Sequence, residues 1–167
     1  MNLIAAVDNN WGIGYCGKLL FSIPEDMQHF KRLTENKVVI MGQATLQSLP
    51  NSKALKNRIN IILSDDESFS TDDVIVCNSL ESLLAVIKQY EPADVFVSGG
   101  QAIYELLADY CSHAYITKID AAAEADRRFP NIDERDNWKL VSESAEKTHG
   151  DLKYKFTEYI NTKKSTV

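Results

Sequence analysis

Asp26 is the first residue whose type and setting point to chemistry. Pro24 suits the first position of a helix, and Ser22 and Glu25 nearby have capping-box spacing. Helical periodicity then puts Asp26 on the side of Phe30 and Leu33, at i+4 and i+7, so the carboxylate leans onto an apolar face. Acids in a first helical turn are common because the helix dipole favours them. The functional alternative is a partly desolvated carboxylate facing a pocket, able to pair with an amidine-like N–C–N edge and to favour protonation of a substrate. Spacing alone leaves both readings open.

Two glycine turns follow apolar runs. Gly99 and Gly100 come directly after Val95 to Val97 and directly before a helical pattern, where glycine lets backbone approach a ligand and free N–H groups meet phosphate. Val38 to Gly42, followed by Gln43, Ala44 and Thr45, repeats that logic. Two such cradles suggest a ligand with two phosphates, although glycine turns after strands are also common on their own. Asn9 to Leu20, with Gly12, Gly14 and Gly17, is long enough to be a lid or an ordinary connection. Arg58, preceded by Lys53 and Lys56, is either a bidentate carboxylate clamp or part of a solvated charge run.

The elements that must position these residues alternate along the chain. Apolar runs rich in Ile and Val recur at Leu3 to Val7, Val38 to Met41, Ile59 to Leu63, Val74 to Val76, Val95 to Val97 and Ala114 to Ile119. Several are continuous, as parallel strands covered on both faces tend to be. Between them lie helical patterns at Pro24 to Thr34, Ala44 to Leu49, Leu80 to Tyr90 and Ala102 to Cys111. Strand alternating with helix predicts an α/β fold. Lys139 to Ser144 and Tyr154 to Ile160 read as strands of a closing antiparallel hairpin, joined by the polar segment Ala145 to Leu152. Asp65 to Asp73 is an acidic connection, and residues 162–167 form a polar tail after one domain over 1–161.

Composition narrows the partners. The 167 residues are 44% hydrophobic and 25% charged, and 24 acids against 18 bases leave a net charge of -6. That field repels nucleic-acid phosphates and anionic membranes. No apolar run approaches the roughly 20 residues needed to span a bilayer, and the N-terminus lacks a basic region followed by a cleavage site. The expectation is a cytoplasmic protein. Cys16, Cys77 and Cys111 are an odd number without close spacing, which predicts reduced thiols. The scattered His29, His113 and His149 predict no bound metal.

Taken together, the blocks resemble the dihydrofolate reductase family, in its bacterial chromosomal type, from Leu3 to Ile160. The resemblance rests on Leu3-Ile4-Ala5-Ala6-Val7-Asp8, Gly12-Ile13-Gly14, Ile23-Pro24-Glu25-Asp26-Met27 with Phe30-Lys31, and Val39-Ile40-Met41-Gly42 with Thr45. It continues through Leu55, Arg58-Ile59-Asn60-Ile61-Ile62-Leu63-Ser64, Gly99-Gly100 with Ile103-Tyr104, Thr117 with Ile119, and Asp126 with Phe129-Pro130. So many blocks in order are specific. The resemblance implies a central eight-stranded, mostly parallel sheet with an antiparallel edge and about four flanking helices. It favours the functional reading of Asp26.

Carried over by residue, the resemblance implies that Asp26 binds the 2-amino and N3 side of a pterin, with Thr117 in the same hydrogen-bond network. Ile4, Ala5, Ala6, Met27, Phe30, Leu49 and Leu55 would form the slot around the pterin and benzoyl rings, and Arg58 would clamp the glutamate α-carboxylate. Leu19 and Leu20 would belong to a moving lid. On the cofactor side, Ala6, Ile13 and Gly14 would lie near the nicotinamide. Gly42, Gln43, Ala44 and Thr45 would follow the phosphates, as would Leu63, Ser64 and Asp65, and Ser98 through Gln101 with Ala102, Ile103 and Tyr104 would complete the cradle around Gly99 and Gly100. The implied reaction is hydride transfer from NADPH to C6 of 7,8-dihydrofolate, a proton reaching N5 from solvent, giving the tetrahydrofolate used in one-carbon metabolism and thymidylate synthesis. Diaminopyrimidine and pteridine antifolates are the implied further ligands, and a monomer the implied assembly.

Some positions depart from the family pattern. Phe21 stands where a tryptophan commonly precedes the helix, so an indole N–H is missing. Gln43, Ala44 and Ala102 stand where basic residues often meet the cofactor phosphates, and Asp65 adds an acid beside Ser64. The expected consequence is NADPH use with a weaker preference over NADH. Other readings are a riboflavin-pathway reductase, which should not need Asp26, Phe30 and Arg58 together, and a nucleotide-binding module or folate carrier without turnover.

Overall fold

In the computed structural model, which describes residues 1–165, the apolar runs become the strands of one mixed sheet. The strands are β1 (Asn2–Val7), β2 (Gly12–Tyr15), β3 (Lys18–Leu19), β4 (Val38–Gly42), β5 (Ile59–Leu63) and β6 (Ile75–Cys77). They continue as β7 (Val95–Val97), β8 (His113–Ile119), β9 (Arg127–Arg128), β10 (Trp138–Glu143), β11 (Lys147–His149) and β12 (Leu152–Asn161). The helices are α1 (Pro24–Thr34), α2 (Gln43–Ser48), α3 (Leu80–Ile87) and α4 (Gln101–Leu107). Eight strands run in the order β10-β12-β8-β1-β7-β4-β5-β6, with β11 also paired to β12. Pairs from β8 through β6 are parallel, and those involving β12 are antiparallel. The expected architecture is therefore present.

The continuous apolar strands are explained by burial on both faces. Along β1, Leu3, Ala5 and Val7 join one large core with Val97, Ile116 and Leu107, whereas Ala6 points the other way. On that second face the core is divided. One part gathers Val39, Met41, Leu46 and Ile62, with Leu49 and Leu55 against them; the other gathers Ile23, Ile119 and Tyr154, with Ala6, Phe21 and Phe156. Helix α1 spans the division. Its N-terminal turn reaches β8 and β12 through Asp26 and Glu25, while Thr34 at its C-terminal end accepts a hydrogen bond from Arg58.

Four local expectations need correction. Asn9 to Leu20 is not an irregular loop: it contains β2 and β3, which make a small sheet with β9. The partner strand lies more than a hundred residues downstream, beyond any local signal. The Ser22 and Glu25 capping box does not form, because Pro24 at the first helical position makes Ile23 the N-cap, and no side chain caps it. Ala145 to Leu152 is not wholly a connection, since β11 lies inside it on the edge of β12. The strand expected at Val74 to Val76 is displaced by one residue. Within the expected polar tail, Ser165 donates its backbone N–H to the Asp109 carbonyl at 2.6 Å, and residues 166 and 167 lie outside the described residues.

Asn60 fastens the segment before β5. Its buried amide receives the Leu55 N–H at 3.0 Å and donates to the Leu55 carbonyl at 2.9 Å and to that of Arg58 at 3.2 Å. Nothing in the local sequence reveals this, because the partners are backbone groups of a turn. Asn60→Ala would leave those groups without partners, and the cost of orphaned buried groups is about 1–3 kcal/mol. Urea denaturation should show a loss of that size.

Candidate active site

Carboxyl ends of neighbouring parallel strands are where an open α/β sheet offers a crevice. Gly42 ends β4 and Leu63 ends β5, while Ser98 and Gly99 follow β7, so the residues expected at a cofactor meet at one edge. The Gly42 N–H donates to the Gly99 carbonyl at 2.8 Å, and Ser98 N–H to the Ile40 carbonyl at 2.9 Å, tying the two glycine turns together. Gly99 has φ +109°, and a Cβ there would meet the Tyr104 ring at 2.9 Å. A Cβ on Gly42 would press Ile103 at 3.1 Å. The packing thus requires bare backbone at this edge. The first turns of α2 and α4 begin immediately beyond, and first-turn N–H groups have no intrahelical acceptor.

The residues present fit a dinucleotide diphosphate: small side chains at Gly42, Ala44, Thr45, Gly100 and Ala102 leave peptide groups accessible. The neighbouring polar cluster differs from the expectation in one respect. Ser64 Oγ donates to Gln43 Oε1 at 2.5 Å, so its proton is committed within the protein while the Gln43 amide N–H groups remain as donors. Asp65 is exposed, as are Ala44 and Ala102.

Across the sheet, the register of β1 and β8 sets Thr117 beside Ala6. Thr117 Oγ1 donates to Asp26 Oδ1 at 2.5 Å. Burial pushes the Asp26 carboxyl above the usual carboxylate range, and the Thr117 hydroxyl draws it partly back. Tyr104 reaches the same strand from α4, donating to the Ile4 carbonyl at 2.8 Å, and its own ionisation is driven far upward by burial. Ile4 and Ala5 therefore flank the site through β1, with Ala5 turned toward the large core rather than toward Asp26.

Large apolar side chains left exposed lack a covering element. Met27 is 50% exposed and Leu19, on β3, 69% exposed. Phe30 carries the Arg58 guanidinium 5.7 Å from its ring centroid. Arg58 Nε donates to Thr34 Oγ1 at 2.9 Å and Nη1 to the Lys56 carbonyl at 2.7 Å, which fixes the plane of the fork beside Phe30. Burial lowers the Arg58 pKa, and Glu35 opposes that shift. Leu49 and Leu55 pack against Val39, Met41, Leu46 and Ile62. Phe21 packs with Ile23 and Tyr154, and fills the local space with hydrocarbon.

Two residues organise the segment from Asn9 to Leu20. Asp8 is buried, and its carboxylate accepts the N–H groups of Asn10 at 2.9 Å, Gly12 at 2.7 Å and Ala123 at 3.0 Å. Asp126 accepts from the Cys16 N–H at 3.0 Å, while its own N–H donates to Gly14 at 3.1 Å. Ile13 and Gly14 thereby sit in β2, and Leu20 lies against Gly12. Sequence reading missed the work of Asp8, Thr34 and Asn60. A polar residue next to an apolar run was the available signal, and it does not name a partner.

Comparison with known proteins agrees with this arrangement. The family model described as dihydrofolate reductase matches residues 1–162. The chain belongs to the dihydrofolate reductase family. Within that family it is of the bacterial chromosomal type. It is 36% identical to the dihydrofolate reductase of Bacillus subtilis (strain 168), over 85% of this chain and 82% of that protein. It is 32% identical to dihydrofolate reductase type 9 of Escherichia coli, over 96% of this chain and 93% of that protein. Its fold is similar to that of dihydrofolate reductase from Enterococcus faecalis complexed with NADP(H) and RAB-propyl, with a TM-score of 0.86 and 28% identity over 96% of this chain and 95% of the other. Among the described residues, no helix is long and apolar enough to cross a membrane.

Asp26 carries a cost that is measurable in this family member. Its folded pKa lies above the unfolded value of 3.8, so the stability it contributes is present below that value and is lost as pH rises through the folded pKa. Asp26→Asn keeps an acceptor for Thr117 without the buried charge. Thermal melts should show the variant more stable than the parent at neutral pH, with the gain narrowing as pH falls into the ordinary carboxylate range.

Proposed function

We propose that this chain reduces 7,8-dihydrofolate to 5,6,7,8-tetrahydrofolate with NADPH, and that Asp26 holds the pterin for that step. The observation that carries the reading is a half-buried carboxylate that accepts the Thr117 hydroxyl and is pushed up in pKa by its burial, beside the uncovered Met27 side chain. Such a group is suited to a planar ligand edge bearing two N–H donors. Ala6, Met27, Phe30, Leu49 and Leu55 supply the apolar slot, with Ile4 and Ala5 beneath it on β1, and Arg58 stands at its mouth as the carboxylate clamp. Ala6, Ile13 and Gly14 line the nicotinamide side. Gly42 to Thr45, Leu63 to Asp65 and Ser98 to Tyr104 take the rest of the cofactor. When bound, NADPH supplies the hydride received by C6 of the pterin. Leu19 and Leu20 shield the slot from water, and the charge of Asp26 favours the substrate protonated at N5.

The finer parts of the reading follow the same chemistry. Diaminopyrimidine and pteridine antifolates present the same N–C–N edge to Asp26 and compete there. The enzyme acts as a monomer formed by residues 1–161, and it works in the cytoplasm. Its preference for NADPH over NADH is narrower than a site with arginine or lysine at Gln43, Ala44 and Ala102 would have.

Loss of reduced-nicotinamide absorbance on mixing protein, NADPH and dihydrofolate tests the reaction directly. Asp26→Asn should retain folate binding but lose turnover by on the order of a hundredfold at neutral pH. That deficit should shrink in acid, where solvent protonates the substrate unaided. Unimpaired turnover at neutral pH would remove Asp26 from the mechanism. For Arg58→Leu, loss of a charged hydrogen bond worth roughly 1.5–3 kcal/mol predicts a KM for dihydrofolate raised by about tenfold to a hundredfold, with kcat changed less. A pterin without the glutamate tail should be indifferent to that substitution; equal loss for both substrates would mean that Arg58 supports the fold instead.

A further inference from the structure

Helix α1 is tied to the sheet through consecutive residues of its first turn. Thr117 on β8 reaches Asp26, and Tyr154 on β12 donates its hydroxyl to Glu25 Oε2 at 2.5 Å. Both donors stand on one face of the antiparallel β8 and β12 pair. Phe156 is opposite Thr117 and Tyr154 opposite Ile119, so strand alternation brings all four side chains to the same side. The other oxygen of Glu25 accepts from Lys147 Nζ at 2.7 Å, and Lys147 is the cross-strand neighbour of Tyr154. One turn along the helix, His29 stacks on Phe156 with ring centroids 4.1 Å apart.

A first turn has the fewest internal hydrogen bonds, and here the N-cap Ile23 adds no side-chain cap. The first turn of α1 therefore depends on its ties to the sheet. Tyr154 is a durable donor, since burial and the Glu25 carboxylate hold its hydroxyl pKa at about 12. We propose that Tyr154 and Glu25 are positioning residues for Asp26, a second latch that holds the first turn of α1 on β12 so that Asp26 stays at Thr117 and out of water. This rests on the proposed role of Asp26. It also gives Glu25 a different task from the capping one that its spacing suggests.

The test reads Asp26 itself. Titratable and charged groups facing this turn are Glu25, His29 and Arg32 on α1, Tyr154 on β12, Lys147 on β11 and Tyr104 on α4. Tyr154→Phe leaves the carboxylate, the imidazole and the cations of that set in place and removes only the latch hydroxyl. Carbon NMR of the Asp26 carboxyl in the ligand-free protein should show its ionisation midpoint falling by about half a pH unit or more as water reaches it. In the same variant kcat should fall by about tenfold, with the KM for NADPH unchanged. Glu25→Gln, which still accepts from Tyr154, should shift the midpoint less than Glu25→Ala, and adding Tyr154→Phe to Glu25→Ala should produce little further change. A folded Tyr154→Phe protein with the parental midpoint would overturn the proposal, as would equal shifts in Glu25→Gln and Glu25→Ala. The midpoint is measured without substrate, so it judges the latch separately from whether Asp26 serves the reaction.

Discussion

A carboxylate held partly out of water is less stable than one at the surface, so a protein that keeps one there needs a scaffold stronger than that penalty. Asp26 imposes this constraint on the molecule. Its burial raises its pKa, and the Thr117 hydroxyl offsets part of the effect. The first turn of α1 must be fixed in direction, β8 must present Thr117 at the right height, and the slot must stay apolar. Ala6 opposite Thr117 leaves room for that slot because its side chain is a single methyl.

The divided core follows from the same requirement. A sheet covered evenly on both faces would have no crevice, and here one face carries a continuous core while the other carries two. Helix α1 crosses between them and is fastened at both ends: at Glu25 and Asp26 to the β8 and β12 side, at Thr34 to Arg58. In the proposed function, substrate recognition is distributed along this one helix. The acid lies in its first turn, Met27 and Phe30 face the slot, and Thr34 orients the guanidinium at the far end.

The cofactor edge is built on a different physical basis. In the proposed function peptide groups rather than charged side chains meet the cofactor, and a Cβ on Gly42 would press Ile103 and one on Gly99 would meet Tyr104, so packing keeps both positions glycine. Tyr104 connects the two regions, since it packs under Gly99 and donates to Ile4 on β1. Side-chain choice at Gln43, Ala44 and Ala102 is consequently free to vary without dismantling the cradle, which is how a chain can belong to the family while departing from its usual cationic positions.

Much of this was legible in the chain before folding. Continuous Ile and Val runs determined the parallel strands because burial on both faces excludes polar residues, and Pro24 determined where α1 starts because it has no N–H to give. The ordered blocks around Asp26, Gly42, Arg58 and Gly99 determined the family. Tertiary structure alone decided which backbone groups Asp8 and Asn60 serve, that Asn9 to Leu20 pairs with β9, and that Glu25 turns to Tyr154 and Lys147 instead of capping its helix. In each case the side chain has several acceptable hydrogen-bond partners of similar strength, so local sequence leaves the choice degenerate. Only the packing of distant strands brings one partner within reach.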